Sequence, residues 1–365
     1  MLKSGFVLPM LLMMSSAALA EDSEPGEWIA PEVMEFGDWS VACDNARDCT
    51  AVSVSRDYVK RIEGTDPGDY AMPKLWVKRR AGPKAAPRVF VDTSVWGEAK
   101  PVGPLTLHVY YDCDGDCTGR AYRLRQIEPG RYELASDQLA AFFAESVKTR
   151  RAATRFPDGS MHGVLTTEGL VAAMRYIDEF QERRGTTTAI YAKDKKPSSA
   201  VPPERTRPKV KVVRGVEEPI TESYDYSALN RKRAEHCQVF GRTIPDLPIQ
   251  RIKLPNGQKL WSVDCNSTPH VEYRLWLVET GEDSFEIFKL PRPEQGRDAE
   301  LPILPNSDFD FASGQITSFQ GMACGWKRRW AWTGSAFAMI DAIEMPACID
   351  ILPHQWLQTY RAIPE

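Results

Sequence analysis

Eight cysteines constrain this chain more than any other feature, because they fall into four couples whose members lie close in sequence. The couples are Cys43 with Cys49, Cys113 with Cys117, Cys237 with Cys265, and Cys324 with Cys348. Disulfides persist in oxidising compartments, so the couples indicate an exported protein. Eight cysteines allow many connectivities. Pairing within each couple is the hypothesis that proximity in sequence favours.

Residues 1–20 have the pattern of a secretory signal peptide. An apolar run extends from Phe6 to Met14, and Ala18-Leu19-Ala20 is the small-residue pattern that signal peptidase accepts. We therefore expect cleavage before Glu21 and a periplasmic location, with secretion as the alternative. No later run reaches the roughly 20 apolar residues of a membrane-spanning helix, so no transmembrane segment is expected.

The length of the remaining chain suits two domains rather than one. We predict a first domain over 21–192, a basic proline-rich linker over 193–222 and a second domain over 223–365. A hydrophobic content of 42% with 26% charged residues is ordinary for globular proteins. The formal net charge of -4 makes nucleic acid an improbable partner.

The predicted linker combines prolines with a run of basic residues. Proline and like charges both extend such a segment. Its prolines and basic residues up to position 211 are Lys193, Lys195, Lys196, Pro197, Pro202, Pro203, Arg205, Arg207, Pro208, Lys209 and Lys211. Most runs of this kind are solvated spacers. The alternative is a basic strip that binds anionic envelope polymers or lipid head groups.

The predicted fold class is mainly β with α additions, in two disulfide-stabilised antiparallel β-rich domains. In the first half, short apolar runs alternate with turn residues, a pattern that is typical of a sandwich-like sheet. Two helices follow in that half. The first is expected from about Asp137 to Thr149 with Val147 on its apolar face, and the second is capped by Thr166 or Thr167.

The second half is predicted to form an antiparallel β-meander with small helical additions. A short helix is expected at 227–235, and Asn256-Gly257 is the strongest two-residue hairpin signal in the chain. A closing helix is expected to begin at Pro353, with Trp356, Leu357 and Tyr360 facing inward.

No catalytic or metal-binding constellation is recognisable. Asp112, Asp114 and Asp116 alternate as in a calcium loop, but the glycine and glutamate that an EF-hand needs are missing, which favours a turn closed by Cys113 and Cys117. The five histidines are scattered and none has zinc-site spacing. We therefore predict no metal, no cofactor and no catalytic residues.

The most unusual surface candidate is a tryptophan-rich run. Strand alternation would place Trp326, Arg328, Trp330 and Trp332 on one side. Such a row can stack on sugars or anchor a protein interface. The interpretation that we favour is that Trp330 and Trp332 fill the core of the sheet while Lys327 and Arg329 face water. With the three aspartates, this row makes up the candidate interaction surface.

Several segments resemble known families. The run Phe36–Cys43 (FGDWSVAC), with Cys49 following and the Cys113–Cys117 couple after a strand, resembles the invasion-associated locus B family. The segments 167–181 (TEGLVAAMRYIDEFQ) and 185–189 (GTTTA) resemble the family called domain of unknown function 1176. The C-terminal signature of that family resembles Cys324-Gly325, Trp330-x-Trp332-x-Gly334-x-x-Phe337, Met345-Pro346-x-Cys348 and the closing 356–361.

These resemblances imply export, two β-rich halves and a role at the bacterial envelope, with host-cell contact as one form of it. They bring no catalytic residues. Our leading hypothesis is a non-catalytic periplasmic protein that binds an envelope protein, a glycan, an anionic polymer or a host surface. One alternative is an inhibitor of a lytic hydrolase such as lysozyme, which would present the loop around Cys113 and Cys117. The other alternative is a cleft hydrolase acting on envelope glycans.

Overall fold

The computed structural model describes residues 33–53, 73–93, 103–111, 119–214, 225–237, 250–267, 270–288, 290–291, 303–348 and 351–365. It is mostly β-strand with three short α-helices in the described ranges, which confirms the predicted fold class. The helices are α1 (Leu139–Ser146), α2 (Leu170–Phe180) and α3 (Ser227–Cys237). In the described residues, no helix is long and apolar enough to cross a membrane.

The first half forms one antiparallel sheet of ten strands. The strands are β1 (Met34–Phe36), β2 (Trp39–Cys43), β3 (Cys49–Ser53), β4 (Lys74–Arg79), β5 (Arg88–Asp92), β6 (Thr106–Tyr111), β7 (Gly119–Glu128), β8 (Arg131–Leu134), β9 (Thr149–Arg155) and β10 (Met161–Thr166). Their order across the sheet is β1-β2-β3-β4-β5-β8-β7-β6-β9-β10.

The two edges of this sheet meet. At the turn between β1 and β2, the backbone N–H of Asp38 donates to the carbonyl of Glu168, 3.1 Å away, just after β10. Thr166 Oγ1 donates to Asp38 Oδ2 at 2.8 Å. Gly169 has φ +94° and lies so close to β1 that an added Cβ would be 1.8 Å from the carbonyl oxygen of Phe36. Only glycine fits there.

The inner face of the sheet holds the core of the first half, together with α1 and α2. The apolar stripe of α2 is buried as its spacing predicts, through Leu170, Met174 and Ile177. The predicted threonine cap is wrong, because Gly169 occupies the N-cap position. Val147 was expected on the inner face, but it follows the end of α1 and is 57% exposed.

A buried ion pair fixes the segment after α2 against β4. Arg79 Nη1 lies 2.8 Å from Asp178 Oδ1, and both side chains are fully buried. Asp178 Oδ2 also accepts the backbone N–H groups of Ile190 and Tyr191. A buried charge is tolerated when it is paired and hydrogen-bonded in this way.

The second half forms two antiparallel five-stranded sheets. One has the order β12 (Gln250–Lys253), β13 (Lys259–Ser267), β14 (Glu272–Gly281), β15 (Ser284–Ile287), and β16 (Ile303–Pro305) also pairs with β14. The other has the order β17 (Asp308–Asp310), β18 (Gln315–Gln320), β19 (Gly325–Trp332), β20 (Phe337–Met345), β21 (Leu357–Arg361). The hairpin at Asn256-Gly257 is confirmed between β12 and β13.

The predicted closing helix is wrong. Pro353 begins a single turn of 3-10 helix, Pro353–Gln355, and the chain then continues as strand β21. Pairing with β20 and burial of Trp356 and Leu357 override the local helical pattern.

The described part of the predicted linker packs against both halves. Arg207 Nη2 lies 2.9 Å from Asp48 Oδ2 and 3.2 Å from Asp44 Oδ2, in the loop between Cys43 and Cys49. Strand β11 (Lys209–Val210) pairs in parallel with β22 (Ile363–Pro364). The domain boundaries themselves stay a prediction.

The second half also covers part of the outer face of the first sheet. The outer side chains Ala42, Val52, Trp76 and Phe90 of β2–β5 form one apolar cluster with Met345, Ala347, Ile351, Trp356 and Leu357. We call this cluster the junction. Asn45 and Arg361 exchange two hydrogen bonds at its margin, at 3.1 and 2.9 Å. Gln355 Nε2 donates to Asp92 Oδ2 at 3.0 Å.

Candidate functional site

The tryptophan row lies on one face of β19, but that face packs inward. Trp326, Arg328 and Trp330 pair with alternate residues of β18, and Trp332 follows two positions later on the same strand, so the four side chains share a side. Trp330 and Trp332 are 1% and 0% exposed in the core of the second half. They therefore fill the core, which is the interpretation favoured from the sequence, and they are not part of the candidate interaction surface. Arg328 is buried as well, at 8% exposed, so only Trp326 at the end of the row is half-buried, with Arg328 Cζ 4.5 Å from its ring centroid.

The other predicted site residues divide between confirmed disulfides and positions outside the described residues. The couples Cys43–Cys49, Cys237–Cys265 and Cys324–Cys348 form disulfides as predicted. Cys113, Cys117, Asp112, Asp114 and Asp116 lie outside the described residues. In the described part of the chain, no group of three His, Cys, Asp or Glu side chains is arranged to hold a metal ion.

A different surface stands out in the structure. Beside the apolar part that the second half covers, the outer face of the ten-stranded sheet is basic. Strand register brings seven basic side chains to it, and we call them the basic face: Lys78, Arg88, Arg123, Arg125, Arg131, Arg151 and Arg155. Four carboxylates lie on or beside it: Asp92, Glu128, Glu133 and Asp137. The basic face thus carries an excess of positive charge in a chain whose net charge is -4.

One part of the basic face is organised around the ring of Phe90. Arg88 Cζ lies 4.8 Å and Arg131 Cζ 5.0 Å from the Phe90 centroid. Glu133 lies beside the ring and accepts hydrogen bonds from Arg88 Nε at 2.7 Å and Arg125 Nη2 at 2.9 Å. The bond from Arg88 is the main cause that holds the pKa of Glu133 below its usual value.

A second part is organised around Tyr110 on β6. Arg155 Nε donates to the Tyr110 hydroxyl at 2.6 Å, and Arg155 Cζ lies 5.8 Å from the ring. His108 stacks on Tyr110 with centroids 6.1 Å apart. Burial, and then the charge of Arg155, lowers the pKa of His108. Arginines held against rings in this way keep fixed positions, because stacking restricts their rotamers.

The outer face of the ten-stranded sheet therefore has an apolar part and a basic part. Its apolar part, on β2–β5, is closed by the second half at the junction. Its basic part, on β4, β5, β7, β8 and β9, includes the exposed guanidinium groups of Arg123, Arg125 and Arg151. Such groups suit planar, bidentate binding of phosphate or carboxylate. This arrangement can hold an anionic ligand by charge and hydrogen bonds.

Sequence reasoning missed this surface because it looked for basic residues that are contiguous. The predicted basic strip lies in the linker, whereas the basic face is made of one or two residues from each of five strands. The available signals were arginines at alternate strand positions, Arg123 with Arg125 on one strand and Arg151 with Arg155 on another. Side chains that lie two positions apart on a strand point to the same face of the sheet.

Comparison with known proteins gives one family and one relative of similar length. The family described as "Protein of unknown function (DUF1176)" matches residues 33–363. The uncharacterized protein YpfG of Escherichia coli (strain K12) is 25% identical over 355 residues, which cover 88% of this chain and 90% of that protein.

A solved structure, that of invasion associated protein B from Bartonella henselae, matches 42% of this chain and 99% of its own length. Its sequence identity is 11% and its TM-score 0.25, too low to support any statement about this fold. The family match instead spans nearly the whole described chain and confirms the resemblance of the segments quoted above. This chain belongs to the DUF1176 family.

Proposed function

We propose that this protein is an exported, non-catalytic binding protein of the bacterial periplasm whose basic face binds an anionic component of the envelope. The observation that carries the proposal is the segregation of charge: seven basic side chains share one sheet face in a chain of net charge -4. The disulfides support export, because they persist in oxidising compartments.

The architecture supports binding at this face for a physical reason. The basic side chains stand on strands whose opposite side is buried in the core of the first half, so the backbone beneath them is rigid. Fixed charges of one sign raise the local concentration of oppositely charged ligands and speed their encounter with the protein. An extended anionic ligand would contact several strands at once.

The test compares the effect of charge reversal on the basic face with the effect of charge reversal elsewhere on the protein. The face variant is Arg123→Glu, Arg125→Glu and Arg151→Glu. Its matched control is Arg184→Glu, Lys193→Glu and Lys195→Glu, on exposed residues after α2 and in the predicted linker. Binding of the full mature chain to heparin, a generic polyanion, is measured by isothermal calorimetry at several salt concentrations.

We expect the face variant to lose about tenfold or more in affinity, a change of about 1.4 kcal/mol, and to show a shallower salt dependence. The control should stay within about twofold of the unchanged chain, since it removes the same total charge from another place. Loss of binding in the control but not in the face variant would assign binding to the linker. No heparin binding by the unchanged protein would refute the proposal.

A further inference from the structure

The part of the basic face around Phe90 differs from the rest, because its guanidinium groups are held in place by the junction. Phe90 is buried beneath the second half, in one cluster with Trp356. Arg88 and Arg131 both stack on its ring, at 4.8 and 5.0 Å. A ring that is fixed by its packing in the junction restricts the positions of the two cations that stack on it.

The electrostatics at this point favour an anion. Burial, and next the charges of Arg131 and Arg88, lowers the pKa of Lys78, against smaller opposing effects of Asp92 and Glu128. The positive neighbours therefore outweigh the negative ones at the Lys78 ammonium group. We call Lys78, Arg88, Arg125 and Arg131 the Phe90 cluster.

Glu133 shows how this cluster holds an anion. Its two carboxylate oxygens accept from two different arginines, Oε1 from Arg88 and Oε2 from Arg125. Arg131 Cζ lies 5.0 Å from the centroid of the same ring, and among the described residues its guanidinium group has one ion-pair contact, a long one of 3.7 Å with Glu128. The cluster therefore has guanidinium donors beyond those that one carboxylate uses.

We infer that the Phe90 cluster is a phosphate site, which selects phosphate groups of a soluble phosphorylated polymer or glycan over carboxylates. The inference rests on the proposed function and deepens it. A phosphate group offers more acceptor oxygens than a carboxylate, so it can engage Arg88, Arg125 and Arg131 together. Arginine matches these oxygens with a planar fork of donors, which lysine lacks.

The experiment compares two polyanions and exchanges arginine for lysine at constant charge. Affinities of the full mature chain for medium-chain polyphosphate and for poly-L-glutamate of matched charge are measured in the same buffer. The test variant is Arg88→Lys with Arg131→Lys, and the control is Arg123→Lys with Arg151→Lys on the same face. A third variant, Arg125→Lys, alters the cluster at an exposed position and guards against a folding defect in the first.

We expect the unchanged chain to bind polyphosphate about tenfold more tightly than poly-L-glutamate. The test variant and Arg125→Lys should reduce this ratio toward about twofold, because charge is kept and the lost donor fork weakens binding of polyphosphate, which engages several arginines at once, more than binding of poly-L-glutamate. The control should keep the ratio. Thermal unfolding of each variant reports whether the fold is retained.

Three outcomes would overturn the inference. Equal affinity for both polymers, with both lost on charge reversal of the face, would refute phosphate selection and leave the proposed function standing. No binding of either polymer would refute both. Tight binding to phosphatidylglycerol vesicles that polyphosphate fails to displace would make the partner a bilayer surface instead of a soluble polymer.

Discussion

Glu133 is the carboxylate on which the charge balance of the Phe90 cluster depends. Its pKa is lowered mainly by the hydrogen bond from Arg88, against the opposing effect of burial and with a smaller contribution from Arg125. A carboxylate with a lowered folded-state pKa stabilises the protein above its ordinary pKa of 4.5. That stability is lost as the pH falls through the lowered value.

We predict that Glu133→Gln will have opposite effects on stability and on binding. At neutral pH it should raise the affinity for polyphosphate severalfold, because Arg88 and Arg125 lose their internal anion. It should cost below about 1 kcal/mol in unfolding free energy, since both arginines are largely exposed. Calorimetric titration and urea unfolding measure the two effects.

Urea unfolding of the variant between pH 3 and 6 provides the control for this prediction. The unchanged chain should lose more stability over that acid range than Glu133→Gln does, because only the carboxylate titrates. Weaker polyphosphate binding by Glu133→Gln would contradict the role given to the cluster. It would mean that Glu133 positions the arginines for the ligand instead of competing with it.

At the scale of a single element, strand β19 shows how one face of a strand passes from core to surface. Trp330 and Trp332 belong to the core of the second half, and Trp330 Nε1 donates to the carbonyl of Pro291 at 2.7 Å. Trp326, at the other end of the same strand, is half-buried and stacks with Arg328. One end of β19 is therefore buried in the core, and the other end, at Trp326, is partly accessible to solvent.

We predict that two substitutions on β19 will differ sharply. Trp330→Ala should lower the unfolding free energy by about 3–5 kcal/mol, since it leaves a cavity in a packed core. Trp326→Ala should cost about 1 kcal/mol or less, because its ring is only partly covered. Urea denaturation followed by circular dichroism measures both changes. Equal losses would show that the accessible end is as tightly packed as the core.

At the scale of the whole molecule, the junction joins the two halves into one structure. Trp356 stacks on Phe319 with centroids 5.6 Å apart, and it lies in the same cluster as Trp76 and Phe90 of the first half. Arg207 adds ion pairs to the loop between Cys43 and Cys49. Apolar packing carries most of this connection, because partly exposed ion pairs contribute little.

We predict that the unchanged chain unfolds in one calorimetric transition and that Trp356→Ala divides it into two. Removing this side chain takes away about 3–5 kcal/mol from the contact between the halves, while the core of each half is kept. Phe285→Leu, in the other sheet of the second half, is the control. It should lower the melting temperature without dividing the transition. Two transitions in the unchanged chain would show that the halves unfold independently.

Local signals in the sequence predicted the elements whose determinants lie within a few residues. The hairpin at Asn256-Gly257 follows from turn chemistry, and α2 follows from an apolar stripe that needs only one face to be covered. The closing helix failed because the segment 357–361 pairs with a strand that precedes it by more than ten residues. Pairing of that kind is invisible to a local pattern.

Patterns along the chain were enough to predict the class of this protein: close cysteine couples, short apolar runs and family motifs specify a disulfide-bonded, β-rich protein. Where its surfaces lie depends on how the strands pair and pack in three dimensions. Whether Trp330 is a ligand platform or a core residue depends on what covers its face, and the arginines of the basic face become neighbours only through the pairing of β5, β8 and β7. Strand pairing brings together residues that are distant in sequence, and burial then decides which of them meet solvent.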